Sequence, residues 1–129
     1  MKKSATYLEK ENEMNDDVLD LQEFLDRVQD DKDLLLELLD IFSEDYQVKR
    51  KGLDLAVSQK NYEDLRGIAH SLKGATGNIS AKSLRMLFMK LEEMGKNNTV
   101  DGAAPILIHV DEEFKKFQER VSIVKKELQ

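Results

Sequence analysis

The apolar positions of this chain fall into five blocks, each repeating at the three- and four-residue steps of a helix. Residues 1–15 stand outside them, with few apolar side chains and no repeat that would bury a face, and are expected to form a poorly ordered leader or linker. Val18, Leu21, Phe24, Leu25 and Val28 then share one stripe, with Asp16 or Asp17 able to cap a short helix that ends near Gln29, Asp30 and Asp31. A longer pattern through Leu35, Leu38, Leu39, Phe42, Tyr46, Leu53, Ala56 and Val57, with one skip at Lys49, predicts a second helix over residues 32–58. Tyr62, Leu65, Ala69, Leu72, Thr76 and Ile79 predict a third over 62–78. Ser80 is a good cap for a fourth over 81–96, whose buried stripe is Leu84, Leu87, Phe88, Leu91 and Met94 and whose stop is Gly95, Lys96, Asn97 and Asn98. From Asp101 to the end, Ile106, Val110, Phe114, Phe117, Val121, Val124 and Leu128 define a long fifth helix, with Pro105 in its first turn.

No segment shows the clean two-residue alternation of a strand. Each of the four long helices has a single apolar stripe to hide, and packing the stripes together is the economical solution. The expected fold is therefore all-α: an antiparallel four-helix bundle with a short additional N-terminal helix capping one end, one domain spanning residues 16–129. Composition agrees with this. A chain of 129 residues that is 40% apolar suits one domain with a real core, and six glycines with one proline disfavour a sandwich of many short strands. With no cysteine and two histidines, disulfides and thiolate metal sites are excluded and a structural metal is not expected. No apolar run approaches the roughly 20 residues of a membrane span, so a cytoplasmic protein with no membrane association within this chain is expected. The net charge of −6 has the wrong sign for a protein that binds mainly by neutralising phosphates, and nucleic acid is not an expected partner.

The third helix breaks two local rules on one side. Arg66, Gly67, His70, Lys73, Gly74 and Gly77 share a face turned away from the stripe of Leu65, Ala69, Leu72 and Thr76, so His70 is expected to face water. Three of the six glycines lie in this patch, although each glycine inside a helix costs on the order of 1 kcal/mol relative to alanine. Their effect is to clear side chains from around the imidazole, leaving a smooth surface on which another protein can approach. Charge gives a second signal. From Leu65 to Leu91 there is no Asp or Glu, while Arg66, Lys73, Lys82, Arg85 and Lys90 contribute +5, leaving −11 for the rest of the chain. A basic face on an acidic protein suits an acidic or phosphorylated partner. An exposed neutral imidazole is a competent nucleophile near pH 7 and could accept a phosphoryl group, with Lys73 one turn on to offset the charge of its oxygens. There is no phosphate-binding loop, no glycine-rich nucleotide motif and no obvious carboxylate cluster for magnesium, so the chain is not expected to use ATP itself.

The run Ala69-His70-Ser71-Leu72-Lys73-Gly74-Ala75-Thr76-Gly77-Asn78-Ile79 closely resembles the motif of the histidine-containing phosphotransfer (HPt) domains of phosphorelays. The motif resemblance covers residues 66 to about 95, and the helix pattern from about 16 to 128 is similar to that family's bundle. The resemblance implies that His70 is phosphorylated on its outer ring nitrogen by a receiver-domain phospho-aspartate and passes the group to another receiver. It also implies no cofactor of the chain's own, magnesium being supplied by the receiver. Carried over residue by residue, Lys73 is the phosphate-contacting lysine, Gly74 the glycine that leaves room for the receiver, and Gly77 the next small position. Glu92 lies where many members carry a glutamine or glutamate bonded to the inner ring nitrogen, which would fix the tautomer. Arg66, Gly67, Lys82 and Arg85 complete the expected receiver-docking face, on a protein expected to be a monomer. The sequence departs from the pattern at Ser80, where glycine commonly follows the Asn-Ile pair.

Histidine kinase dimerisation domains also place a phosphorylatable histidine on a bundle helix, but usually with an acidic residue directly after it and a proline five on. Here those positions are Ser71 and Ala75. Two other readings stay open: a helical docking or scaffold domain without phosphoryl chemistry, and the phosphorylatable domain of a chemotaxis-type kinase. Outside the patch, His109, between Ile108 and Val110, reads as a boundary histidine at the edge of the core. Met86, Met89 and Met94 read as packing and edge contacts, and Lys49-Arg50-Lys51 as solvated charge.

Overall fold

The computed structural model describes residues 16–129, and the expectation for residues 1–15 lies outside them. Among the described residues all regular structure is helical. After a helical turn at residues 16–18, five helices follow: α1 (Leu21–Arg27), α2 (Lys32–Ser58), α3 (Tyr62–Asn78), α4 (Lys82–Lys96) and α5 (Ala103–Leu128). Consecutive long helices pack as neighbours and α5 closes back onto α2, making an antiparallel four-helix bundle. The predicted stripes form its core: Leu35, Leu39 and Leu53 of α2, Leu65, Ala69 and Leu72 of α3, Leu84, Phe88 and Leu91 of α4, and Val110, Phe117 and Val124 of α5 are almost fully buried. Aromatic rings join α2 to α5, with Tyr46 stacked on Phe114 at 3.7 Å between centroids and Phe42 edge-on to Phe117 at 5.4 Å.

Two helix junctions differ from the sequence expectation. The first helix starts later than Asp16 or Asp17 would place it. The chain breaks at Leu19 and Asp20, where Leu19 is buried and the Asp20 N–H donates to the Ser80 carbonyl at 3.0 Å. The Asp20 carboxylate then accepts from the Glu23 N–H and caps α1. The second difference is at Ser80, which caps nothing. It has φ +60°, α4 is entered through Ala81 without a side-chain cap, and the Ser80 hydroxyl donates to Glu23 Oε1 at 2.8 Å. The left-handed backbone explains why glycine suits this position, and the buried hydroxyl bond offsets the strain that serine incurs. The stop of α4 falls where the sequence places it, after Lys96, with asparagine rather than glycine taking the left-handed position. The left-handed residue after the helix is Asn98, at φ +53°, while Gly95 lies inside the last turn.

The turn between α2 and α3 shows how a non-glycine residue manages the left-handed position. Lys60 has φ +51°, its N–H donates to the Val57 carbonyl, and the Asn61 N–H donates to the Ala56 carbonyl at 2.9 Å. This double closure satisfies the orphan carbonyls of α2, and Asn61 at once caps α3 through the Asp64 N–H. The same bond pattern recurs between α3 and α4, where Ser80 donates to Gly77 and Ala81 to Thr76.

Of the basic triplet on α2, Lys51 is exposed as expected, but Lys49 and Arg50 are not solvated charge. The Arg50 side chain is 15% exposed and grips both carboxylate oxygens of Asp111 on α5, at 2.8 and 3.0 Å, and Asp54 at 2.6 Å. Lys49 donates to Asp45 and to the Ser71 hydroxyl on α3. Lys49 and Arg50 therefore tie α2 to both of its neighbours. His109, expected at the edge of the core, is instead an exposed residue 3.7 Å from Glu113 one turn on.

Candidate functional site

Helix α3 carries the site and α4 completes it. The capped α3 presents Leu65, Ala69, Leu72 and Thr76 to the core, which turns His70 outward with 71% of its side chain exposed. Gly67 and Gly74 flank it, and a Cβ built on either would meet nothing within 4 Å. The surface beside the imidazole is thus open. Gly77 is different: a Cβ there would lie 3.3 Å from Arg85 Nε, because the Arg85 side chain occupies the space that the glycine leaves.

Antiparallel packing brings α4 alongside. A Cβ on Gly95 would lie 2.6 Å from the Arg66 backbone nitrogen, so only glycine allows the two helices to approach this closely here. One turn on along α3 and one turn back along antiparallel α4, Glu92 reaches His70. Its Oε2 lies 2.7 Å from His70 Nδ1 and its Oε1 2.8 Å from Lys73 Nζ, and Lys96 Nζ is 3.4 Å from that same Oε1. The Glu92 side chain is only 4% exposed. Its hydrogen bond from Lys73, assisted by that from His70 and by the nearby Lys96 ammonium, outweighs burial and holds the carboxyl down to about 2. Glu92 is therefore an anion near neutral pH. An ionised carboxylate can only accept, so Nδ1 carries the proton and the lone pair of the ring sits on Nε2, which faces solvent.

The basic face is less basic than the contiguous sequence suggests. Lys82 donates to Asp20 at 2.8 Å and lies 3.4 Å from Glu23, both contributed by the first helix and its cap. That hydrogen bond to Asp20 raises Lys82 and depresses Asp20. Lys73 is likewise engaged by Glu92. Among the described residues, Arg66 and Arg85 form no salt bridge. Beside Lys73 and Gly74, a cleft of about 680 Å³ opens between α1, α3 and α4, walled by Arg27, Gly77, Lys82, Arg85 and Met86. Sequence reasoning missed two members of this neighbourhood. Arg27 donates to the Gly77 carbonyl at 2.9 Å from 50 positions away, for which there is no local signal. Lys96 was legible as the residue four after Glu92. Among the described residues, no group of three or more His, Asp or Glu side chains is placed to hold a metal ion. No helix among them is long and apolar enough to cross a membrane.

An outward imidazole with one nitrogen locked as a donor is chemically suited to accept a phosphoryl group. The sequence matches the Hpt domain over residues 37–120. The chain belongs to the Hpt family. The fold of this Hpt protein is similar to the crystal structure of histidine-containing phosphotransfer protein B from Pseudomonas aeruginosa, with a TM-score of 0.74 and 26% identity over 87% of this chain and 95% of that one. No curated protein matches the sequence. Hpt membership and this structural likeness together support a phosphotransfer role in two-component phosphorelays.

Proposed function

We propose that this Hpt protein is a phosphorelay intermediate in which His70 accepts a phosphoryl group from the phospho-aspartate of one receiver domain and delivers it to the aspartate of another. The observation that carries the reading is the 2.7 Å contact of His70 Nδ1 with the buried, ionised Glu92. In the forward step the Nε2 lone pair attacks phosphorus, an Nε2–P bond forms, and the bond from phosphorus to the acyl oxygen breaks. The receiver aspartate leaves as a carboxylate, and the ring, still protonated on Nδ1, becomes an imidazolium. No proton needs to move. Glu92 stabilises the positive ring that forms, and in the reverse step it keeps Nδ1 protonated so that imidazole departs neutral.

Lys73 offsets the charge on the phosphoryl oxygens, and the open backbone at Gly67 and Gly74 lets the receiver's acyl phosphate come within attack distance of Nε2. Arg66, Gly77, Lys82 and Arg85 belong to the receiver-docking face, with Gly77 acting as the seat for Arg85. Magnesium comes with the receiver. The test is transfer from a phosphorylated receiver with magnesium, which is expected to label the wild type with an acid-labile, alkali-stable phosphate and to leave His70→Gln unlabelled. Equal labelling of both would refute the role of His70. Binding and signalling that persist unchanged in His70→Ala would favour a docking domain instead.

A further inference from the structure

Lys73 is not free to meet an incoming phosphoryl group in this structure, because its ammonium is bonded to Glu92 Oε1 at 2.8 Å. The two carboxylate oxygens divide the work: Oε2 holds His70, and Oε1 faces two lysines, Lys73 from α3 and Lys96 from the last turn of α4. Lys96 lies 3.4 Å from Oε1, longer than a good charged hydrogen bond, and its side chain is 48% exposed against 22% for Lys73. One lysine thus holds the oxygen closely while the second stands beside it with room to move.

If Lys73 left for the phosphoryl oxygens with nothing in its place, Oε1 would remain charged, buried and without a close cation, which is costly. We propose that Lys73 and Lys96 are alternates on Glu92 Oε1, Lys96 closing onto it as Lys73 turns to the phosphoryl group, so that Lys96 is a positioning residue for transfer. The inference rests on the phosphotransfer reading of His70. An ordinary solvent-exposed pair four residues apart on a helix contributes little, but here the acidic partner is the buried group that orients the nucleophile. Lys96 never touches the phosphoryl group. It keeps Glu92 compensated, and Glu92 keeps His70 correctly protonated.

Phosphoramidate, a small donor that phosphorylates imidazole with release of ammonia, tests this without any receiver, so that docking does not enter. The rate of phosphohistidine formation at His70 of the full chain, its signal told apart from that of the exposed His109 by a His70→Gln control, is followed by 31P NMR in the wild type, Lys96→Met, Lys96→Arg, Glu92→Gln and the Glu92→Gln/Lys96→Met double variant. Lys96→Met is expected to slow labelling about tenfold and Lys96→Arg to stay within about twofold of wild type. In the Glu92→Gln background, where a neutral amide needs no cation, Lys96→Met is expected to change the rate by less than about twofold. A Lys96→Met rate equal to wild type overturns the proposal. So does a tenfold loss that persists in the Glu92→Gln background, which would mean that Lys96 attracts the donor directly. Either result leaves His70 labelled in the wild type and the relay reading intact, whereas a wild type that takes up no phosphate at His70 fails both.

Discussion

At His70 the controlling variable is which ring nitrogen carries the proton, and a residue 22 positions away sets it. Glu92 can do so only while ionised, and the lysines around Oε1 ensure that it is. The sign of the pH effect follows. Because the carboxyl is held at about 2 in the folded protein against 4.5 ordinarily, its contribution to stability is complete above about 4.5 and is lost as pH falls through about 2. By 13C NMR the Glu92 carboxyl resonance is expected to keep its ionised position down to about pH 3. In Lys73→Ala it should titrate at least about one pH unit higher, since Lys73 is the largest stabilising partner. An unchanged titration would show that Lys73 does not hold the charge. Glu92 could be placed opposite His70 from the sequence only through the family resemblance, because its own neighbours along α4 do not reveal that it points inward.

At the level of the elements, the α3–α4 crossing decides whether these residues meet. Gly95 looks like a helix terminator in the sequence, yet its function is to let the Arg66 backbone approach. Gly95→Ala should cost about 1–3 kcal/mol, because the clash is with main chain that cannot rotate away. It should also push α4 outward and loosen the His70–Glu92 bond. Chemical denaturation reads the first effect and the 15N shift of His70 Nδ1 the second; a stable variant with an unchanged shift would show that the crossing has slack. Ser80 permits a paired comparison. Ser80→Ala loses the bond to Glu23 and keeps the left-handed strain, whereas Ser80→Gly loses the bond and relieves the strain. The alanine variant should therefore be less stable than the glycine variant by about 1 kcal/mol. Equal stabilities would mean that the φ of +60° carries no strain.

On the scale of the whole molecule, charge on the proposed docking face is redistributed by packing. The sequence has no acid between Leu65 and Leu91, but α1 folds over the end of α3 and brings Asp20 and Glu23 to Lys82. Arg85 stays without an acidic partner among the described residues and lies over Gly77 at the edge of the cleft. With a cognate receiver, Arg85→Glu should therefore slow association about tenfold at low salt, while Lys82→Glu should act less on association and more on stability, by disturbing Asp20 and Glu23. Stopped-flow association at two salt concentrations separates them. A larger effect from Lys82 would show that its ion pairs open when the receiver binds. The same reach across the molecule explains Arg50, whose bond to Asp111 joins residues 61 positions apart.

The bounds of α2 and α3, the core stripes and the outward face of His70 were determined by the sequence alone, because helical periodicity and capping act within a few residues and need no partner. Tertiary structure alone decided the late start of α1, the hydroxyl bond of Ser80, the Arg50 clamp and the two lysines on one buried oxygen. Each of these depends on a group brought close by folding rather than by chain position, and the strength of an electrostatic or hydrogen-bonded contact is set by distance and burial in space.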